Sequence, residues 1–200
     1  MAAYLVATMD VHDAEGYRTY QTEVPALIAR HGGTYIVRGG ERVALEGEWP
    51  GPRIVILEFP YYAAARAFAD DPDYTTFIAV RQRTTTSRIF IVEGFEGAPP
   101  AAGFGAFLLA SITVEDPETY KGYAVQVPDV ITRLGGTFLV RGGKAEGLEG
   151  APDPGRVVLA GFRDLAALQA FHGSADYAPL IELRHSASTG TVVGLEAYKG

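Results

Sequence analysis

The sequence predicts an α+β chain in which two ferredoxin-like βαββαβ units stand in tandem and close on each other as an intramolecular pseudo-dimeric α/β barrel. Three observations carry this. Residues 3–97 and 106–200 are one unit written twice, because a shift of 103 positions aligns them without a gap. Within each copy the apolar runs follow the order β-α-β-β-α-β. An antiparallel sheet with both helices on one face leaves its other face bare, and the second copy supplies a matching surface to cover it.

The elements follow in order. Tyr4 to Val11 is apolar and β-branched and reads as a strand, matched by Phe107 to Val114. Asp13 caps a helix whose buried stripe is Tyr17, Tyr20, Val24, Leu27 and Ile28; Asp116 followed by Pro117 is the matching start. Pro25 and Pro128 predict a kink or a break in that helix. Gly32 and Gly33 end it. Thr34 to Arg38 reads as a second strand, punctuated by Gly39 and Gly40. A loop of about a dozen residues is then expected before a third strand, Arg53 to Phe59. Ala63 to Ala69 is an alanine-rich helix, Asp71 and Pro72 restart a second helical piece with Ser174 as its later counterpart, and Arg88 to Val92 is the last strand. The expected domains are 1–97 and 106–200, joined by a turn-rich linker over 98–105.

Composition narrows the function classes. The chain is 48% hydrophobic and 20% charged, as folded chains are, and its net charge of −7 without a basic run argues against nucleic acid or an anionic membrane as partner. It contains no cysteine, which excludes disulfides and thiolate chemistry. No apolar run spans a bilayer and no signal peptide is visible, so a cytoplasmic location is the expectation. The four histidines lack metal-type spacing, so no metal and no cofactor is expected.

Strand alternation separates the faces. Leu5, Ala7, Met9 and Val11 form an apolar, helix-covered set. Tyr4, Val6, Thr8 and Asp10, matched by Phe107, Leu109, Ser111 and Thr113, form the set expected between the sheets. Thr34, Ile36 and Arg38 are expected to share one face, as are Ile54, Ile56 and Glu58; the counterpart of Glu58 is Gly161. A pocket between the sheets lined by Asp10, Thr8, Arg38 and Glu58 follows, with a less acidic version around Ser111, Thr113 and Arg141.

The repeated motifs resemble the family called domain of unknown function 1330, a branch of the dimeric α/β-barrel superfamily. They are Tyr-x-x-Tyr, Val-Pro in the first helix, Gly-Gly-x-Tyr/Phe-x-Val-Arg-Gly-Gly, Leu-Glu-Gly, Phe59-Pro60 before the alanine-rich helix, Asp73-Tyr74, Arg81 and Val92-Glu93-Gly94. Copy two departs from them, with Arg163 after its third strand and Leu195-Glu196-Ala197 at its end. The resemblance implies the fold and covers essentially the whole chain twice; the family is usually a single domain, so two copies in one chain depart from its common form, and the chain is expected to stand as a pseudo-dimeric monomer or to pair as a homodimer. Superfamily relatives include cofactor-free monooxygenases, isomerases, cyclases and dehydratases, and members without assigned activity.

The expected function is that of a cofactor-independent small-molecule enzyme of isomerase, cyclase or monooxygenase type, acting on an apolar oxygenated metabolite in an inter-sheet cavity. Asp10, His31 and Glu58 are the candidates for moving a proton, and Arg38 for holding an oxyanion. Tyr4, Thr8, Tyr20, Trp49, Tyr74, Ser111, Arg141 and His185 are the candidate substrate contacts. Several have a structural alternative: Arg38 and Arg141 brace the hairpin loop by pairing with Glu46 or Glu149, the tyrosines pack in the core, and Trp49 covers surface. The competing functions are a non-catalytic small-molecule-binding or stress-associated protein, and a structural module whose inter-sheet space is filled by side chains.

Overall fold

A computed structural model describes residues 1–150 and 154–200. The first half runs β1 (Ala3–Val11), α1 (Ala14–Arg30), β2 (Thr34–Arg38), β3 (Arg42–Glu46), β4 (Arg53–Phe59), α2 (Tyr62–Ala69), α3 (Pro72–Thr84) and β5 (Thr85–Glu93). The second runs β6 (Ala106–Val114), α4 (Pro117–Arg133), β7 (Thr137–Arg141), β8 (Ala145–Glu149), β9 (Arg156–Phe162), α5 (Leu165–His172), α6 (Ala178–His185) and β10 (Ser188–Glu196). The fold is the tandem, pseudo-dimeric ferredoxin-like arrangement that the repeat predicts.

Two five-stranded antiparallel sheets pack face to face, in the orders β2-β4-β1-β5-β8 and β3-β10-β6-β9-β7. Each sheet borrows a strand. β3 leaves the first half to pair with β10, and β8 leaves the second to pair with β5. Sequence reasoning expects a loop over these residues, and the structure corrects it. Neither strand advertises itself, since Arg42–Glu46 is exposed or half-buried throughout and Ala145–Glu149 half-buried throughout. An edge strand lying on a neighbour's sheet needs no apolar run of its own, because the ladder supplies its backbone partners.

The faces of β1 separate as expected. Leu5, Ala7 and Met9 join Tyr17, Val24, Ile28, Phe59 and Phe68 in a core beneath the helices. Tyr4 and Val6 meet Phe107, Leu109, Ile56, Leu159, Val193 and Leu195 in a separate core between the sheets. The second half has its own helix-side core around Leu108, Ala110, Ile112, Tyr120 and Phe171. The space between the sheets is thus filled by side chains over most of its length. Each fully buried Leu, Ile or Phe there contributes roughly 1.5–3 kcal/mol.

A bulge redirects β2. Thr34 and Tyr35 face Glu58 and Leu57, then the register slips, so that Val37 faces Ile56 and Arg38 faces Val55. The extra residue turns Arg38 to the helix side. β7 repeats the device, with a slip between Phe138 and Val140 that turns Arg141 to face Val158. The expectation that Thr34, Ile36 and Arg38 share a face is corrected accordingly.

The bulge and the helix proline form one structural unit. Neither α1 nor α4 breaks at its proline, against the expected kink or break. Pro25 has no N–H to offer the carbonyl four residues back, that of Gln21. Arg38 Nη2 donates to this carbonyl at 3.2 Å, and Arg141 Nη2 donates to the Ala124 carbonyl, four residues before Pro128, at 2.6 Å. The loop-bracing alternative, pairing of these arginines with Glu46 and Glu149, is therefore not what the structure shows.

Candidate active site

The polar side chains of the first half converge on its helix side. Tyr17 and Tyr20 project from α1 one turn apart, and their rings stack with centroids 5.2 Å apart. Tyr74 comes from the first turn of α3, which Asp71 caps through the Asp73 N–H and Pro72 opens. The Tyr20 and Tyr74 hydroxyls meet at 2.8 Å. Burial raises both the Tyr17 and the Tyr20 hydroxyl above the usual tyrosine value, and the Tyr74 neighbour adds to the rise at Tyr20. Both therefore remain protonated donors at neutral pH. With Tyr35, Arg38, Arg53 and Arg81 they line an inner chamber of about 40 Å³ above Leu5, Ala7, Met9, Val55, Leu57 and Ile89.

Arg81 is 3% exposed and links the chamber to the second half. Its Nη1 and Nη2 donate to Glu149 Oε1 and Oε2 at 2.7 and 3.2 Å, and Nη1 also donates to Ser87 Oγ at 2.8 Å. Gln82 Nε2 completes the shell of Glu149 at 2.6 Å. Glu149 belongs to the borrowed strand β8, so one half holds the charge of the other. Burial alone would raise the Glu149 carboxyl, but hydrogen bonds from Arg81, Ser87 and Gln82 outweigh it and keep the group below the ordinary glutamate value. Outside the chamber, Leu5, Tyr74, Arg81 and Ile89 also wall a cleft of about 260 Å³ that includes Gln82, Leu148 and Glu149. Tyr74 and Arg81 thus stand between an outer cleft and an inner chamber. Arg53 and Arg81 each carry a buried Nε–H that no group among the described residues accepts, donor capacity that a ligand oxygen or water would use.

The second half builds the same site differently. Tyr123 and Tyr177 hydroxyls lie 3.1 Å apart, and Arg184 is held by Glu46 of the borrowed strand β3. There the carboxylate also receives His172 Nε2 at 2.8 Å and His185 Nε2 at 2.7 Å. Burial works against its ionisation, yet contacts from His172, Arg184 and His185 hold Glu46 well below the ordinary carboxylate range. The chamber here is about 30 Å³, and Arg184 is the arginine among its lining residues. Arg156, the counterpart of Arg53, donates Nη2 to the Arg141 carbonyl at 3.1 Å and, like Arg53, keeps a buried Nε–H without an acceptor among the described residues, but it does not line the chamber.

The four residues given chemistry by sequence reasoning are not brought together. Asp10 is exposed at the end of β1. His31 caps the C-terminus of α1, and its Nε2 meets Asp71 Oδ2 at 2.6 Å, tying α1 to α3. Arg38 lines the chamber on the opposite face of the sheet from that expected. Glu58 lies between the sheets, where Oε1 accepts from the Tyr4 hydroxyl at 3.1 Å and from the Ala101 N–H at 3.0 Å. It anchors the segment joining the halves. Its counterpart Gly161 leaves room for Phe104, whose ring lies 2.4 Å from where a Cβ would stand.

Of the candidate substrate contacts, Tyr20 and Tyr74 line the chamber. Tyr4 is fully buried in the inter-sheet core, Arg141 braces α4, and His185 is a half-exposed partner of Glu46. Thr8, Trp49 and Ser111 line an opening between the sheets instead. Trp49 is buried rather than surface cover, and its counterpart Pro152 lies outside the described residues. Sequence reasoning missed Arg53 and the site role of Glu149. The retention of Arg53 as Arg156 at the repeat spacing was the available signal for the first.

Comparison with known proteins places the chain. It matches the family described as Domain of unknown function (DUF1330) over residues 2–95 and again over residues 105–198, and belongs to that family. No curated protein matches it. Among solved structures it is similar to a candidate monooxygenase from Fusobacterium nucleatum, with a TM-score of 0.57 and 13% identity over 99% of this chain and 93% of that one. An anthrone oxidase-like protein gives a TM-score of 0.52 at 12% identity, covering 100% of this chain and 94% of that one. A heme-binding protein from Thermus thermophilus gives 0.51 at 9%, covering 98% and 90%. At such identities the likeness is one of fold. Among the described residues no helix is long and apolar enough to cross a membrane.

Proposed function

We propose that this tandem member of the DUF1330 family binds a small, largely apolar molecule bearing an enol, phenol or carboxylate oxygen on the helix side of its first half, and moves a proton on it. The observation that carries this reading is the pair of buried, unaccepted guanidinium Nε–H groups of Arg53 and Arg81 lining one chamber with apolar walls. An oxygen that gains negative charge during reaction is what such fixed donors stabilise. Tyr20, kept neutral by burial, meets the Tyr74 hydroxyl, and the two form a donor pair that delivers a proton and takes it back. Glu149, kept ionised, orients Arg81.

The inner chamber holds only a few atoms, so the body of a larger ligand lies in the outer cleft past Tyr74 and Arg81. Of the isomerase, cyclase or monooxygenase function expected from the sequence, this reading keeps the isomerase or cyclase chemistry and moves its place from between the sheets to beneath the helices.

The test is a thermal-shift screen of hydroxylated aromatics and enolisable 1,3-diketones, followed by deuterium exchange at the enolisable carbon. At least one compound should stabilise the chain and exchange, and Tyr20→Phe should slow exchange about 10²- to 10⁴-fold. Binding with no exchange would leave the non-catalytic binding protein as the reading. No stabilising compound would remove the site altogether.

A further inference from the structure

Beyond the packed layer of Tyr4 and Val6, the two sheets part at the far end of β1. The opening measures about 620 Å³, within the size range of small-molecule sites. It straddles both halves, for Thr8 lines it with its repeat counterpart Ser111, and Arg88 with its counterpart Thr191. Trp49 and Phe90 supply aromatic walls, and Glu48 and Arg88 one charge of each sign. It lies on the opposite face of β1 from the tyrosine chamber, whose floor is Ala7 and Met9.

Thr8 is only 4% exposed. Ser111 Oγ donates to the Pro154 carbonyl at 2.8 Å. The Thr8 hydroxyl has no such hydrogen-bond partner among the described residues. The Thr8 oxygen faces the open space, and beside it Trp49 Nε1–H is buried with no acceptor among the described residues, so both are groups for a ligand to pair.

We propose that this cavity is a second ligand site, taking a neutral polyhydroxylated ring of monosaccharide or cyclitol size. Three features select that chemistry. Wall hydroxyls both donate and accept, which matches a ligand that does the same. Aromatic walls suit the apolar face of a ring. One carboxylate and one guanidinium cancel, so the site favours neither anion nor cation, while both bond to hydroxyls. The proposal does not rest on the reading of the helix-side chamber.

Trp49 is the chain's single tryptophan, so its fluorescence reports the cavity directly. The full chain is titrated with glucose, ribose and myo-inositol, read by fluorescence and by ligand-observed NMR. At least one should give a saturable response. Thr8→Val should weaken it about tenfold or more, about 1.4 kcal/mol, with thermal stability kept because no hydrogen bond within the protein is lost. Tyr20→Phe should leave it unchanged. No saturable response to any of the three by either readout overturns the proposal, as does an affinity untouched by Thr8→Val. An equal loss in Tyr20→Phe would place the ligand in the chamber instead and overturn it too.

Discussion

The two helix-side chambers share three tyrosines and one arginine at the repeat spacing and end as different environments. In the first half Arg38, Arg53 and Arg81 all line the chamber, and Glu149 is shared by Arg81, Ser87 and Gln82. In the second, Arg156 turns to a backbone carbonyl, and Glu46 is enclosed by Arg184, His172 and His185. The difference comes from few positions: Gln82 against His185, Ser87 against Gly190 and Ala69 against His172. The same ion pair therefore leaves a reactive-looking opening in one half and a closed, heavily paired carboxylate in the other. Charge pairing decides whether a retained motif remains available to a ligand.

The largest effect should come from breaking the closed side. Glu46→Ala leaves Arg184, 4% exposed, without its carboxylate, and should destabilise by about 3–5 kcal/mol in urea unfolding. Glu149→Ala should cost less, since Ser87 still accepts from Arg81. Equal losses would erase the contrast between the halves.

Next comes the brace. Arg38→Ala strips the partner from the Gln21 carbonyl and should cost about 1–3 kcal/mol. In a Pro25→Ala background the restored N–H resumes that bond, so the same change should cost less, with a coupling of at least about 0.5 kcal/mol in a double-mutant cycle. Arg141→Ala should cost more than Arg38→Ala, because its bond to Ala124 is the shorter one.

Acid sharpens the comparison. A carboxyl depressed in the folded state contributes stability at neutral pH and loses it as pH falls below the ordinary glutamate value of about 4.3 towards its folded value. Glu46 is depressed furthest of the two. Chemical denaturation between pH 7 and pH 3 should show a loss that Glu46→Gln flattens more than Glu149→Gln.

The smallest effect concerns the tyrosine pairs. Tyr20→Phe and Tyr123→Phe should each lower stability by about 1 kcal/mol, since each removes one hydroxyl contact. They should differ in ligand affinity, with the loss confined to Tyr20.

Much of the fold was legible in the residues. The repeat named two units, and the alternation along Tyr4–Val11 separated a helix side from an inter-sheet side. What alternation could not reveal was its own interruption. Ile36 and Val37 are adjacent, both are buried between the sheets, and the bulge they form sends Arg38 to the other face. Two consecutive apolar residues, repeated as Leu139 and Val140, were the trace of it. The strand exchange left less, because Arg42–Glu46 and Ala145–Glu149 gain their partners from the other half. Glu58 read as an acid because it faced inward, yet its partners are Tyr4 and the joining segment. Local pattern reports which side a residue takes and not which distant group meets it there.

The interlocking of the halves through β3 and β8 is the claim on which the composite site depends. Differential scanning calorimetry of the full chain tests it most directly. A single transition, with equal calorimetric and van't Hoff enthalpies, is the predicted result. Two resolved transitions, one for each half, would contradict it.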